Sequence, residues 1–491
     1  MNKEKLSINN IVLYKNKTIE VTGDIIVPDI KPDIINIINT NGNSYIYKKE
    51  ITNGKIRLDG NIDTNIIYLA DNGETRSIST TLNFLETIED EKIKEEMKCK
   101  YNLKITDLEA KVLNERKITI SVKLEIICTF KENKEIEIIS NIDEMDDIEK
   151  LEEKVNIKNF LGTNLAKTSI KENMKINEED ELAEILKIDM DIFNPENKIS
   201  YNKVLAKAEV EIRIMYLTED NKIKISKQTF PIMSFIDIEN VKEENNCDID
   251  YKIKNMLITP NSKEQHSILV QIEFEVECEV YESKQINLIK DMYGTKKDIS
   301  YKEENVFVNI INEDQEKEKI EIEEKMFIED ICKIVDIDLI PIIISKNESN
   351  NIVNYEGHVK ANILYEVENK QGICEKQMKI PFIIKRRNNE EIKLRIVKKE
   401  YNLSNENVNL FIKIEIEEIK ENCEKINLIN EIKIDDIKEE NEYSVIVYFI
   451  KPEDTLWEIC KRFRVSTEQI GKYNDLENSK IIPGNKLYIV R

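Results

Sequence analysis

The sequence is poor in the residues from which many active sites are built. Its 491 residues include 11 glycines, 9 prolines, 2 histidines and 1 tryptophan. Neither of the glycine-rich phosphate-binding patterns, G-x-x-x-x-G-K-[ST] or G-x-G-x-x-G, occurs. His266 and His358 alone give little material for a histidine-rich metal site or a Ser-His-Asp triad. These absences predict a protein that is not an enzyme, with no catalytic residues, no metal site and no cofactor.

Long apolar runs are also missing. Residues 1–20 contain no continuous apolar stretch of about 7–15 residues, which a secretory signal needs. No run approaches the roughly 18 apolar residues of a membrane helix. The eight cysteines are scattered and form no C-x-x-C pair, a spacing typical of reduced thiols in a cytosolic chain. We therefore expect a cytosolic start and no transmembrane segment.

Charge and composition narrow the class of protein further. The formal net charge of -23 at pH 7 opposes binding to a phosphate backbone, so we expect no nucleic-acid partner. Apolar residues make up 40% of the chain and are mostly Ile, Val and Leu. Branched side chains of this kind favour strands. The composition predicts a large protein that is rich in β-structure.

One pattern occurs three times along the chain. In each copy a small residue precedes a tyrosine by eight positions, and apolar residues alternate between them, which is strand periodicity. The pairs are Gly60 with Tyr68, Ala208 with Tyr216, and Gly357 with Tyr365. A second strand then ends near an aromatic residue, which is Phe84, Phe235 or Phe382. We interpret the small residue as the site of a bulge or of a tight contact under a neighbouring ring.

These repeats predict the domain organisation. The fold class is expected to be mainly β, with three tandem antiparallel β-sandwich-like repeats followed by a small α+β module of βααβ order. The predicted boundaries are 1–148, 149–300 and 326–437 for the repeats and 441–491 for the module. The segment 301–325 is crowded with charge and is predicted to be a linker or a short helix.

The C-terminal segment has a local pattern of its own. Residues 443–449 alternate as a strand, which Pro452 ends. Asp454 or Thr455 can cap a following helix, and a second helix and a last strand come after it. The side chains expected in the core of this module are Trp457, Ile459, Phe463 and Leu487.

This segment resembles the LysM domain. It has Pro452-Glu453-Asp454-Thr455 where LysM domains usually have Pro-Gly-Asp-Thr, which adds a negative charge to the loop that lines the glycan groove of that family. The resemblance implies binding of a partner or a glycan through two loops, formed by Pro452, Glu453, Asp454, Thr455 and Leu456, and by Ile481, Ile482, Pro483 and Gly484. The basic residues Lys461, Arg462 and Arg464 form either a patch for an acidic partner or an ordinary solvated helix face.

The three repeats resemble SPOCS repeats, and Asp291-Met-Tyr293 resembles a short Asp-x-Tyr element of those domains. Together with the LysM-like module, the arrangement is similar to that of the SipL-like family of clostridial spore coat morphogenetic proteins. The resemblance implies a scaffold in the mother-cell cytoplasm that is recruited to the forespore surface. Its LysM module would dock on a stage IV sporulation coat-base ATPase, and its repeats would bind other coat proteins. The alternative is a protein that binds peptidoglycan or N-acetylglucosamine through the LysM module.

Overall fold

The structure is a computed structural model. It describes residues 2–141, 147–261, 266–309, 318–349, 352–368, 372–387, 391–404, 406–418, 423–436, 445–474, 476 and 480–490. The described part of the C-terminal module is therefore residues 445–474, 476 and 480–490, and residues 437–444, which include the start of its predicted first strand, lie outside the description.

The described residues before this module form twenty strands. The first repeat contains β1 Asn2–Ile26, β2 Ile34–Thr52, β3 Lys55–Ala70, β4 Thr75–Glu89, β5 Lys98–Asn114 and β6 Lys117–Asn141. The second contains β7 Ile148–Lys175, β8 Leu182–Ser200, β9 Lys203–Thr218, β10 Ile223–Asp237, β11 Asn246–Pro260 and β12 Ser267–Gly294. The third contains β13 Lys297–Asn309, β14 Lys319–Phe327, β15 Ile331–Ser349, β16 Ile352–Val367, β17 Cys374–Arg386, β18 Ile392–Ser404, β19 Asn407–Glu418 and β20 Cys423–Asp436.

Each repeat is a sandwich of two antiparallel three-stranded sheets. Their orders are β2-β3-β4 with β1-β6-β5, then β8-β9-β10 with β7-β12-β11, and finally β15-β16-β17 with β14-β19-β18. In β6, for example, alternate residues from Ile118 to Phe130 are buried, which is what one apolar face of a strand requires. Each sandwich encloses its own apolar core. The mainly β fold class with sandwich-like repeats is confirmed.

The small residue of the repeat pattern allows a ring to pack on the strand. Gly60 lies opposite Phe84, and a Cβ atom at residue 60 would come within 2.3 Å of that ring. Gly357 lies in the same way opposite Phe382, with a closest ring distance of 2.7 Å. In the second repeat Ala208 lies opposite Ile232. Alanine is larger than the glycine of the other repeats and isoleucine is smaller than their phenylalanine, so the two differences compensate in volume.

Phe235 lies near the end of β10, as predicted, but its environment differs from that of Phe84 and Phe382. Its ring does not take the place of Phe84 and Phe382, because Ile232 occupies that position. The side chain of Phe235 is instead 59% exposed, and the Lys203 ammonium lies 5.9 Å from its ring centroid.

The three repeats share a central apolar cluster that none of them could form alone. Its principal members are Ile38, Leu186 and Val335, which lie at bulges in β2, β8 and β15 respectively. A bulge inserts one residue and re-aims side chains, so these three point away from their own sandwich and towards the other repeats. The repeats therefore pack together around one cluster instead of extending as a string.

A second shared cluster is built from the ends of long hairpins. Strands β1 with β6, β7 with β12, and β13 with β20 each contribute apolar residues to it. In the third repeat the corresponding strands are described as β13 and β14 on one side and as β19 and β20 on the other. Residues 310–317 and 419–422, which connect them, lie outside the description.

The described residues of 301–325 differ from the sequence prediction for that segment. Residues 301–309 belong to strand β13 and residues 319–325 to strand β14, so the described parts of the predicted linker pair in two sheets. In the described part, residues 302–305 are all exposed, and in β14 exposed charged residues alternate with apolar ones that are more buried. The prediction of a linker rested on the charge of the segment and not on the apolar positions between the charged ones.

Candidate functional site

The C-terminal module has the predicted βααβ order. It consists of β21 Val445–Phe449, α1 Leu456–Phe463, α2 Thr467–Asn474 and β22 Lys486–Val490, with β21 antiparallel to β22. Thr455 caps α1 by accepting a hydrogen bond from the Glu458 amide at 3.2 Å, and the Glu458 carboxylate accepts from the Thr455 amide at 3.3 Å. This capping box satisfies two amides that the first turn leaves unpaired. None of the helices in the described part of the chain is long and apolar enough to cross a membrane.

The four residues predicted for the module's core do not all have the same environment. Ile459 and Leu487 are buried completely, at 0% and 1% exposure. Trp457 and Phe463 are only partly buried and pack against the edge of that core. Tyr293, from β12 in the second repeat, is buried in the same cluster. The module is therefore completed by a residue from outside its own sequence.

Asp291 is the centre of the contact between the module and the second repeat. One carboxylate oxygen accepts a hydrogen bond from the Trp457 indole nitrogen at 2.7 Å. The other oxygen lies 2.5 Å from the Lys461 ammonium and accepts from the Tyr301 hydroxyl at 2.5 Å. Hydrogen bonds to an ionised acceptor are the strong ones. One carboxylate thus holds groups from α1 of the module and from β13.

Tyr293 forms the apolar half of the same contact. Its ring packs edge-to-face on Trp457 with the ring centroids 5.0 Å apart, a favoured geometry for aromatic pairs. Its hydroxyl donates to the Val465 carbonyl oxygen at 2.8 Å. The Asp291-Met-Tyr293 element that the sequence analysis identified therefore binds the module, through a carboxylate at one end and a ring at the other. We call Asp291 and Tyr293 with their module partners Trp457, Lys461 and Val465 the docking contact.

Two of the three predicted basic patch residues face acids of this chain. Lys461 binds Asp291, and Arg464 binds Asp298 at 2.7 Å. Beside them, the Thr467 hydroxyl donates to the Glu149 carboxylate at 3.1 Å. Arg462 is exposed and contacts the Tyr448 hydroxyl at 3.1 Å within the module. The Arg462 contact thus lies within the module, whereas Lys461 and Arg464 contact β12 and β13.

The two predicted binding loops lie on the surface. In the first loop Pro452, Glu453 and Thr455 are exposed, whereas Asp454 accepts hydrogen bonds from the Tyr448 hydroxyl at 2.7 Å and the Lys451 amide at 2.8 Å. In the second loop Ile482 is 62% exposed, and Pro483 and Gly484 are exposed as well. Gly484 has a φ of 90°, which favours glycine, and its amide donates to the Ile450 carbonyl at 2.8 Å. Leu456 and Ile481 are half-buried at the inner ends of the loops.

The docking contact should weaken in acid. Burial raises the pKa of Asp291, but hydrogen bonds from Lys461, Trp457 and Tyr301 outweigh it and hold the pKa below its ordinary value of 3.8. A carboxylate with a lowered pKa stabilises the contact above its ordinary pKa, and this contribution is lost as the pH falls. We expect docking to be constant above about pH 5 and to decline below about pH 4. Quenching of Trp457 fluorescence by acrylamide over this range is the measurement.

A matched variant separates this effect from general acid unfolding. The variant Asp291→Asn has no charge at this position, so its quenching should change less than that of the native protein between about pH 5 and pH 3. Identical pH profiles for the two proteins would contradict the role given to this carboxylate.

A buried charged cluster lies elsewhere, between the second and third repeats. The Lys187 ammonium contacts carboxylate oxygens of Asp336 at 2.5 Å, Asp338 at 2.6 Å and Asp189 at 3.1 Å. Arg213 also binds Asp336, at 2.7 Å. The three carboxylates are close enough together to hold a metal ion, but the lysine ammonium provides the positive charge between them. This cluster therefore joins two repeats.

The histidines lie apart from all of these contacts. A ring nitrogen of His266 is 2.9 Å from the Asp180 carbonyl oxygen, within the second repeat. His358 lies on β16, in the middle of a sheet of the third repeat.

Comparison with protein families agrees with these structural divisions. The family model described as SipL, SPOCS domain matches residues 33–113 and 181–261, and the LysM domain model matches residues 448–490. The two SPOCS matches begin one residue before β2 and β8, and they end close to the ends of β5 and β11. No curated protein and no solved structure gives a significant match.

Proposed function

We propose that this chain, in which two segments match the SipL, SPOCS domain model and one matches the LysM domain model, is a non-enzymatic scaffold for spore coat assembly and encasement. The two domain types fit a sporulation-related or cell-wall-binding protein. In the finer proposal the LysM domain docks on the coat-base morphogenetic ATPase of the stage IV sporulation type. The repeats bind other coat proteins, and the chain passes from the mother-cell cytoplasm to the forespore surface.

The fixed position of the LysM domain is the observation that favours this proposal. A domain that grips a glycan polymer needs only a tether, whereas a scaffold must present its partner at a defined place. Here the domain is held by Asp291 and Tyr293, with Arg464 and Thr467 as further contacts. Both predicted binding loops remain exposed, so a bound partner would have a set orientation relative to the repeats.

The chemistry of the exposed loops favours a protein partner. Glu453 adds a negative charge where LysM domains usually have glycine, and a charged side chain there is unsuited to a neutral sugar. Ile482 presents an apolar side chain with 62% of its surface exposed, of the kind that becomes a buried anchor in a protein interface. Arg462 supplies one exposed positive charge beside the loops.

We expect Ile482→Asp to weaken capture of the partner at least tenfold, because it puts an uncompensated charge into the interface. The measurement is a pull-down with the full chain from a lysate of sporulating cells, with the captured ATPase identified by mass spectrometry. The matched control is Tyr473→Asp, which changes a side chain of similar exposure on α2, outside the two loops. Arg462→Glu should reduce capture by a smaller factor, since an exposed ion pair contributes little.

The second candidate function is glycan binding, which the LysM match itself favours. Sedimentation of the full chain with purified peptidoglycan tests it. The glycan function would replace the scaffold proposal if two results came together. The chain would have to sediment with peptidoglycan in a way that Ile482→Asp abolishes, and the pull-down would have to capture no ATPase. Capture of the ATPase that is equal for Ile482→Asp and the native chain would remove these loops from the interface.

A further inference from the structure

A polar cleft lies between the first and second repeats, away from the LysM domain. Its volume is about 760 Å³, which is in the range of small-molecule sites. The first repeat contributes Tyr45, Tyr47, Asn61 and Asn83, and the second contributes Lys167, Thr168, Ser169, Lys254, Asn255, Glu273 and Phe274.

The first repeat lines the cleft with a row of polar side chains that cross one sheet. Tyr45, Asn61 and Asn83 lie directly opposite one another on β2, β3 and β4, and opposite residues share a face of the sheet. The corresponding rows in the other repeats are Phe193-Glu209-Pro231 and Ile342-His358-Pro381. Since the same sandwich forms with those residues, the fold does not require the tyrosine and the two amides.

An aromatic side chain projects beside this row. Tyr47 lies at a bulge of β2, between Ile46 and Lys48, and is 49% exposed. At the equivalent bulge of the third repeat, Ile344 is also exposed, at 69%. The bulge thus presents a side chain in both repeats, but only the first repeat provides a ring at the mouth of a cleft.

The second repeat gives the cleft a positive charge. Lys254 and Lys167 both line it, against a single acid, Glu273. Burial lowers the pKa of Lys254, and the positive charges of Lys49 and Lys167 lower it further, although Glu275 at 3.7 Å partly offsets them. Repulsion between these ammonium groups would be relieved by an anion placed between them. A cleft in which lysines outnumber acids is unusual on a chain whose net charge is -23.

We propose that this cleft binds a carboxylated oligosaccharide. Amide and hydroxyl side chains both donate and accept hydrogen bonds, as sugar hydroxyls do. An exposed tyrosine ring offers a flat apolar surface for the C–H face of a sugar, and the two lysines suit a carboxylate. An acidic peptide would use the lysines but would leave the amide row and the ring with less to bind, so the cleft favours the sugar.

The test uses the full chain and three probes, with binding measured by calorimetry. Tetragalacturonate carries sugar hydroxyls and carboxylates, maltotetraose carries the hydroxyls alone, and a ten-residue glutamate peptide carries the carboxylates alone. We expect tetragalacturonate to bind at least tenfold more tightly than either of the others. The variants Lys254→Met and Tyr47→Ala should each weaken that binding at least fivefold, whereas Lys171→Met, an exposed lysine on the same strand as Lys167, should leave it unchanged.

Each remaining outcome overturns the proposal. No binding of tetragalacturonate would do so, as would stronger binding of the glutamate peptide, which would make the cleft a peptide site. If Ile482→Asp abolished binding of tetragalacturonate and Lys254→Met did not, the sugar would be assigned to the LysM domain. The cleft variants lie outside the LysM domain. A failure of sugar binding therefore does not contradict the scaffold proposal, and a failure of ATPase capture does not contradict the proposal of a sugar site in the cleft.

Discussion

Replacing Lys187 with methionine is expected to lower the free energy of unfolding by about 3–5 kcal/mol. Methionine keeps most of the apolar stem of the side chain but removes the ammonium group, which is 2% exposed and faces Asp336, Asp338 and Asp189. Breaking a buried ion pair from one side is costly because the other charge remains in the interior without compensation. The midpoint of urea denaturation is the measurement.

The loss should depend on pH in a way that identifies its cause. In the native protein burial raises the pKa of Asp336, but attraction by Lys187 and Arg213 outweighs this and lowers the pKa to about 2. Its stabilising contribution is therefore present above its ordinary pKa of 3.8 and is lost as the pH falls towards 2. In Lys187→Met the carboxylates can take up protons at higher pH, so the difference in stability between variant and native protein should narrow between pH 7 and pH 5.

Lys207→Met is the matched control for this prediction. Lys207 is exposed on β9, the strand next to β8 that carries Lys187, and surface changes of this kind usually alter stability by less than about 0.5 kcal/mol. A loss in Lys187→Met that is no greater than in Lys207→Met would show that the cluster does not hold the second and third repeats together. A large loss that is equal at pH 5 and pH 7 would point to packing instead of charge.

Replacing Asp291 with alanine is expected to release the LysM domain from the second repeat. The substitution removes hydrogen bonds from the Trp457 indole, the Lys461 ammonium and the Tyr301 hydroxyl. Bonds to a charged group contribute about 1.5–3 kcal/mol, and a loss of about 2 kcal/mol shifts the docking equilibrium roughly thirtyfold. The domain itself should stay folded, because Ile459, Leu487 and the capping box of α1 are untouched.

Trp457 makes this release directly measurable, since it is the only tryptophan in the chain. Its emission should move to longer wavelength and become more accessible to acrylamide in Asp291→Ala. The matched control is Asp237→Ala, an exposed aspartate of the second repeat that is paired with Lys203 at 3.3 Å. Unchanged emission and quenching in Asp291→Ala would show that Asp291 is not needed to hold the domain, and that Tyr293, Arg464 and Thr467 suffice.

The position of Trp457 also changes how partner-binding variants are to be understood. A change at Trp457 or Lys461 acts on the docking contact as well as on any outside interface. Loss of partner binding in such a variant has two explanations, whereas loss in Ile482→Asp has one, since Ile482 is 62% exposed on its loop. The comparison of these variants with Asp291→Ala would tell whether the partner needs the domain in its docked position.

Several features of the fold were accessible from the sequence because they depend on neighbours in the chain. The alternation around Gly60, Ala208 and Gly357 identified strands at one face of each repeat, and both Gly60 and Gly357 lie under a ring as expected. The LysM pattern was equally local, and Thr455 caps α1 as one of the two predicted residues. The Asp291-Met-Tyr293 element was noticed as a resemblance, without any indication of what it binds.

The errors have a common physical origin. Segment 301–325 was interpreted as a linker because its charge is high, although its charged residues alternate with apolar ones that face a sheet. For Lys461 and Arg464 the sequence left open a patch for an acidic partner or a solvated helix face, because nothing in it places Asp291 and Asp298 beside them. In each case the deciding contact joins residues that are far apart in the chain, such as Lys325 with Asn409 and Lys461 with Asp291.

The sequence by itself determined the elements of this protein, namely repeated antiparallel strands, a net negative charge and a C-terminal βααβ module, because periodicity and capping are properties of adjacent residues. Only the tertiary structure decided how the elements are combined. It brings the bulge residues Ile38, Leu186 and Val335 into one cluster and sets Lys187 among carboxylates of the third repeat. It also fixes the LysM domain on Asp291. These contacts follow from packing between repeats, and packing at long range has no period along the chain.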